Sequence, residues 1–375
     1  MVEQHLRSLA REFRARVDWD TFEALFHERA GGQDIKVARG LEANFSPAPG
    51  ESVPKSGPEA GPDPERGSWP GSGSSPRPGS WPGPAPDLEC RTRAHIEAYR
   101  RELAASLERE LFKQKRRLAD AERSLGGRET RRARENERIA RCKGDSLLSK
   151  ISDLRRTEPE ERDDRIFPMY YAPVLVEERG SRLIRPMRYT CRLPGKPASD
   201  DRRYPGTYNA RRDSLRGFWA GLYGHRHAVL VITSFFENVP LHVLEKRELA
   251  PGEASRSTVL HFDPRPRAPM LVVCLWSRWT GTDGDNQLRR EEHPGHAREH
   301  AGRAEEQSRH TLSSFAAITD DPPPEIAATG HNRCIIPIKR ANLDEWLAPQ
   351  RVGLERLDEI LTDRERPFYA HRIAA

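Results

Sequence analysis

Four short segments carry the residues whose types and spacing could do chemistry. The first is Tyr204-Pro205-Gly206-Thr207-Tyr208-Asn209-Ala210-Arg211-Arg212. Here an amide and a guanidinium follow a tight turn, where Asn209 can orient a bound group and Arg211 can fork a phosphate with paired N–H donors. In the second, Val231-Ile232-Thr233-Ser234-Phe235-Phe236-Glu237-Asn238, the carboxylate of Glu237 follows an apolar run and two aromatics. Poor solvation there raises a carboxylate's pKa toward general acid–base work. The third, Gly330-His331-Asn332-Arg333-Cys334-Ile335-Ile336-Pro337, sets His331 just before an apolar strand, with Arg333 two residues on. The fourth, Ile166 to Val174, opens the β-rich half. Each has a plain structural alternative: Asn209 can cap a turn, Glu237 can be a surface carboxylate, and a lone histidine such as His331 can be a packing residue. The chain has no G-x-x-x-x-G-K-[ST], no strand-linked G-x-G-x-x-G and no H-E-x-x-H.

These segments need elements to hold them. From Ile166 onward, short β-rich runs are separated by Pro and Gly. The runs are Tyr171 to Val176, Ser181 to Arg192, His227 to Ser234, Ser257 to Phe262, Met270 to Trp279, Ser314 to Thr319 and Arg333 to Ile338. Short helices are expected over Leu215 to Leu222 and Leu343 to Leu347. The fold class is therefore α+β: a mostly β core, either a curled sheet or a barrel, with peripheral helices. Residues 1–45 read as an N-terminal helical part of that core. Leu6, Leu9, Phe13 and Val17 make one helical stripe, and Asp20 or Thr21 caps a second helix with Phe22, Leu25 and Phe26.

Residues 46–90 are rich in Pro, Gly and Ser, repeat Gly-Ser-Trp-Pro-Gly at Gly67 and Gly79, and read as a disordered linker. Its two tryptophans are either isolated linker aromatics or a docking motif. Residues 91–162 read as a charged helical hairpin, broken at Gly126-Gly127 and carrying 21 Lys and Arg against 14 Asp and Glu. It is either a solvated hairpin packed by one edge or a basic arm that lies along DNA phosphates. Residues 163–375 form the β core, interrupted by a polar insertion at 281–311. That insertion holds His293, His296, His300 and His310 with no apolar run around them to fix ligand geometry, so it reads as a loop and not as a metal site.

Composition sets the outer limits. Only 35% of the chain is hydrophobic and 32% is charged, so the apolar residues must be concentrated, and the long apolar runs all follow residue 165. A formal charge of +6 permits a nucleic-acid partner without requiring one. Five scattered cysteines, Cys90, Cys142, Cys191, Cys274 and Cys334, argue against a disulfide framework and a zinc site. The sequence holds no 18-residue apolar stretch, and its start is charged from Glu3 without an apolar signal region. The expectation is a cytoplasmic protein without cofactor or metal.

Taken in order, the segments resemble the SOS response-associated peptidase family. The resemblance rests on Pro168-x-x-x-x-Pro173-Val174, Pro186-Met187-Arg188-Tyr189, Asn209-Ala210-Arg211 and a strand ending Phe236-Glu237. It continues with Leu275-Trp276, Ile318-Thr319, His331-x-Arg333-x-x-x-Pro337 and Trp346-Leu347, and covers residues 163–350 with the polar insertion looped out.

The resemblance implies a monomeric protein that processes abasic sites in single-stranded DNA and associates with the nucleoid when DNA is damaged. An N-terminal cysteine, exposed by self-removal of the initiator Met, cross-links to the ring-opened sugar as a thiazolidine, an activity classed as peptidase or lyase-like. Carried over, Asn209 positions the terminus, Glu237 transfers protons, His331 assists sugar opening or reversal, and Arg211 and Arg333 hold phosphates. The α-amine suits this chemistry, because a usable fraction is neutral near pH 7. This sequence, however, begins Met1-Val2-Glu3-Gln4. The expectation is a start called late, with a Met-Cys lead upstream. A non-catalytic single-stranded DNA binder and a peptidase of unknown substrate are the alternatives, and Cys191 is a weaker candidate for a substitute nucleophile.

Overall fold

A computed structural model describes residues 5–45, 86–127, 130–282 and 309–374. In chain order the elements begin with α1 (Leu6–Phe13), β1 (Arg16–Val17), α2 (Trp19–Ala30), β2 (Lys36–Val37) and α3 (Arg39–Glu42). The hairpin helices α4 (Pro86–Leu125) and α5 (Arg131–Arg155) follow, then β3 (Tyr170–Glu178), β4 (Ser181–Tyr189), α6 (Asp200–Arg203) and β5 (Asn209–Arg211). Next come β6 (His227–Ile232), β7 (Phe235–Pro240), α7 (Leu241–Leu244), β8 (Ser257–Arg265), β9 (Met270–Thr282) and β10 (Arg309–Asp320). The chain ends with α8 (Pro324–Ala327), β11 (Cys334–Ile335), β12 (Pro337–Ile338), α9 (Leu343–Leu347), α10 (Leu354–Thr362) and β13 (Phe368–Ile373).

Five strands close on themselves in the order β4-β10-β9-β6-β3, with β3 pairing back onto β4. All these pairings are antiparallel except β4 with β10, so the barrel is mixed. Closure explains why β6 is buried at all six positions. A strand covered on both faces loses the polar alternation of an open sheet.

The buried side chains form two clusters of opposite parity along the strands. Leu175, Ile184, Val229, Val231, Val273 and Ile318 pack with Leu6, Phe13, Phe22, Phe26, Trp346 and Leu361 of the helices, so this set faces outward. Val174, Val176, Met187, Leu230, Val272, Cys274, Phe315 and Ala317 pack together and onto Phe235, Phe262 and Tyr369, so this set fills the barrel. Those last three residues belong to a second sheet, β13-β8-β7, which continues the inner core.

The N-terminal segment is integral to this structure: β1 adds to β4 and β2 to β3, both in parallel. Val17 belongs to β1 and does not continue the first helix as expected. The second helix is capped one turn earlier than Asp20 or Thr21, by the Asp18 carboxylate accepting from Thr21 N–H at 3.3 Å. Residues 215–222 are consecutive turns instead of the expected helix. Leu215, Trp219 and Leu222 are still buried in the outer cluster, so the helix-like spacing comes from turns that bury the same side. The hairpin begins at Pro86, inside the expected linker, because proline suits the first turn of a helix. The rest of that linker, and most of the polar insertion with His293, His296 and His300, lie outside the described residues, whereas His310 is on β10, level with Gly281, and not in a loop as expected.

Candidate active site at the barrel mouth

Alternation along β7 turns Glu237 to the same side as Phe235 and Val239, which belong to the inner cluster. His331 reaches it from the segment before β11. Gly330, at φ +86°, makes the bend, and a side chain there would press within 2.9 Å of Val243. The result is a direct contact: His331 Nε2 lies 3.0 Å from Glu237 Oε2. The other ring nitrogen, Nδ1, lies 2.9 Å from the Arg333 carbonyl oxygen. A carbonyl can only accept, so Nδ1 carries a proton and Nε2 is left to face the carboxylate. Burial works against a charged imidazole, but the hydrogen bond and charge of Glu237 outweigh it and raise the His331 pKa above its ordinary value. The pair is thus a couple in which the imidazole holds its proton more tightly than a free histidine does.

Asn209 comes from β5, paired in parallel with β10 so that Asn209 is level with Ala317 and Arg211 with Thr319. Ala210 between them belongs to the outer cluster, so Asn209 turns inward. Its side-chain oxygen accepts from the Thr319 hydroxyl at 2.5 Å. Tyr208 and Tyr189 link this group to the pair. Arg333 Nη2 donates to the Tyr208 hydroxyl at 3.4 Å, and Tyr208 meets Tyr189 edge-on with centroids 5.6 Å apart. Burial and the nearby Glu237 carboxylate push the Tyr189 phenol well above its usual range. Glu237 and His331 therefore touch, whereas Asn209 lies on the barrel sheet, held by Thr319, and Glu237 on the second sheet. Sequence reasoning gave no role to Tyr189, Tyr208 or Thr319. Tyr189 and Thr319 stand two residues beyond the inner residues Met187 and Ala317, a parity that could have pointed to them.

The two arginines differ. Arg333 is half-buried beside Tyr208. Arg211 is instead occupied: it donates to Asp321 at 3.0 Å, to Asp213 at 3.3 Å and to the Asn332 carbonyl at 3.3 Å. A third guanidinium, Arg165, stacks against Phe236 at 4.1 Å and Phe167 at 4.7 Å, a cation–aromatic ladder on the face of β7 opposite Glu237, where Phe236 also stacks on His261.

Buried thiols supply no alternative nucleophile. Burial pushes Cys191 and Cys334 up to about 12 and raises Cys274 as well, so none is a thiolate at neutral pH. This removes Cys191 as a substitute for a terminal cysteine. Among the described residues no group of His, Cys, Asp and Glu could hold a metal ion, and no helix is long and apolar enough to cross a membrane. Two large concavities, of about 640 and 740 Å³, lie around Arg226 and Trp276 and around Arg14 and Arg182, and neither includes the five residues discussed. The chemistry, not cavity size, marks the site.

The fold is a mixed five-stranded barrel joined to a second sheet that carries the carboxylate–imidazole contact. The sequence profile of the family described as SOS response associated peptidase (SRAP) matches residues 127–375, and the chain belongs to that family. Its role is accordingly associated with DNA damage. No curated protein matches. Among solved structures, a Bacteroides thetaiotaomicron protein is 10% identical, aligning 55% of this chain with 75% of its own at a TM-score of 0.38. A Bordetella bronchiseptica protein is 13% identical over 56% of this chain and 86% of its own, with a TM-score of 0.38. A phage-related protein from the same organism is 14% identical over 60% and 88%, with a TM-score of 0.37.

Proposed function

We propose that this protein processes abasic sites in single-stranded DNA, with Glu237 and His331 as the proton-transfer couple and Asn209 as the positioning amide. The observation that carries the reading is the 3.0 Å contact between Glu237 and His331, with the second imidazole nitrogen fixed on a backbone carbonyl. An abasic sugar must open to its aldehyde, and an amine must then add to that aldehyde with loss of water. Both steps need a proton moved to or from oxygen, the task of a hydrogen-bonded carboxylate and imidazole. Arg333 holds a phosphate, and Arg211 takes another on leaving Asp321.

In the covalent form of the reaction, the α-amine of an N-terminal cysteine adds to the aldehyde and water leaves. The resulting imine is then closed when the thiol adds across its carbon–nitrogen bond, giving a thiazolidine with no oxidant consumed. This sequence has Val2 at its second position, so the thiol has to come from a cysteine-led form. The test is a denaturing gel with an abasic single-stranded oligonucleotide, comparing this chain with a version led by Met-Cys whose Met is removed. A denaturation-resistant band from the cysteine-led form alone supports the proposal. A band of equal strength from the unextended chain assigns the adduct to another nucleophile. Binding without a band from either form leaves a non-catalytic single-stranded DNA binder. Cleavage of an unrelated protein revives the peptidase alternative.

A further inference from the structure

The hairpin formed by α4 and α5 concentrates the chain's positive charge at its far end. Residues 111–143 hold 12 Lys and Arg against 5 Asp and Glu, an excess larger than the +6 of the whole chain. The root is anchored. Arg100 bonds Glu42, His95 lies 3.1 Å from Glu23, and Arg39 donates to the Asp153 carbonyl at 2.8 Å. Beyond Arg100, α4 runs on for about 37 Å at 1.5 Å per residue, packed along α5.

At the tip, the two helices enclose a crevice of about 520 Å³ lined by Lys113, Arg116, Arg117 and Arg132, with Asp120 as its one carboxylate. Neighbouring arginines outside the crevice engage the described tip acids: Arg123 takes Asp120, Arg138 takes Glu135, and Arg141 takes Glu137 and Glu122. The crevice cations therefore keep a net positive field. The arm is also rooted beside the site, because α5 returns through Arg165 and Phe167 to Met169, whose N–H donates to the Tyr189 carbonyl at 2.5 Å.

We infer that this tip is a second DNA-binding surface, taking the backbone phosphates of a duplex that flanks the single-stranded segment held at the barrel mouth. The reach fits, since one turn of duplex rises about 34 Å. A row of cations without aromatic partners suits phosphates better than bases. The choice of DNA as the polyanion rests on the function proposed above.

The full-length chain is tested by fluorescence anisotropy with three probes: a short abasic single strand, the same strand joined to about two turns of duplex, and the undamaged duplex alone. The variant Lys113→Glu/Arg116→Glu/Arg132→Glu should lose at least about tenfold in affinity for both duplex-bearing probes. Its salt slope should fall by roughly three contacts' worth, about 0.9 each, while the short abasic strand binds as before. A neutral variant, Lys113→Gln/Arg116→Gln/Arg132→Gln, should show the same trend with an unchanged circular dichroism melt. Undiminished duplex binding in both variants overturns the inference. So does an equal loss on all three probes. A wild-type protein that binds duplex but does not prefer abasic over intact single strands breaks the proposed function and leaves the tip surface standing.

Discussion

The barrel mouth and the helical hairpin are built from the same residue types and use them differently. In the hairpin, Arg155 meets Glu108 at 2.5 Å and Arg141 meets Glu137 at 2.6 Å, closer than the 3.0 Å between His331 and Glu237. Yet the hairpin pairs stand in water, where screening and side-chain entropy leave each with little effect. His331 is buried on an inner face closed by Phe235 and Phe262, and there the carboxylate decides the protonation of the ring. Burial, more than distance or residue type, separates an ion pair that sets chemistry from one that only adds to a surface field. The hairpin root makes the same point, since Arg29 and Glu42 meet at 2.5 Å with side chains 7% and 6% exposed.

This comparison can be broken at each end. The largest expected effect is at the mouth: Glu237→Ala in a cysteine-led form should slow adduct formation by roughly 10²–10⁴-fold in single-turnover gels, as for loss of a positioned acid or base. Next is the buried pair at the hairpin root. Glu42→Ala strands Arg29 and should cost about 3–5 kcal/mol in denaturant titration. Glu108→Ala, at the equally close but exposed hairpin pair, should leave the denaturation midpoint unchanged. A comparable loss in both would mean that burial is not what distinguishes them. Smaller again is the effect of the phosphate arginines. Arg333→Ala should weaken single-stranded DNA binding and lower the salt slope by about 0.7. Arg211→Ala should weaken it less, because Asp321 already competes for that guanidinium.

Much of the barrel was legible because its strands are continuous apolar runs, as in His227 to Ile232, and so was the hairpin, through its stripe and the Gly126-Gly127 break. What escaped was short or set by tertiary context. β5 is three residues long, and β7 reads as polar because Glu237 and Asn238 interrupt it. β1 and β2 exist only because a neighbouring strand receives them. At the site, Asn209, Glu237 and His331 could be picked out by type and position at strand ends. Tyr189 and Thr319 gave only a parity signal, two residues beyond Met187 and Ala317, because an aromatic and a threonine are ordinary strand residues until the barrel closes. The occupation of Arg211 by Asp321 was equally hidden, as it joins residues 110 positions apart.

The smallest expected effect is a pH dependence, and it asks whether the mouth pair is the charged couple that burial implies. Glu237 raises the folded pKa of His331 against the opposing effect of burial, whereas the unfolded histidine titrates at roughly 6.5. Below that value the ring is protonated in both states and the pair contributes its full stability. As pH rises through the raised folded pKa, the folded protein gives up the proton and the contribution is lost. Glu237→Gln removes the cause of the shift. Thermal melts should therefore show the widest gap between wild type and Glu237→Gln below the roughly 6.5 of the unfolded histidine, closing as pH is raised through the folded pKa of His331. A gap that stays constant or widens with pH would mean that the imidazole is neutral at the mouth, and that the pair works from a carboxylic acid instead of an imidazolium.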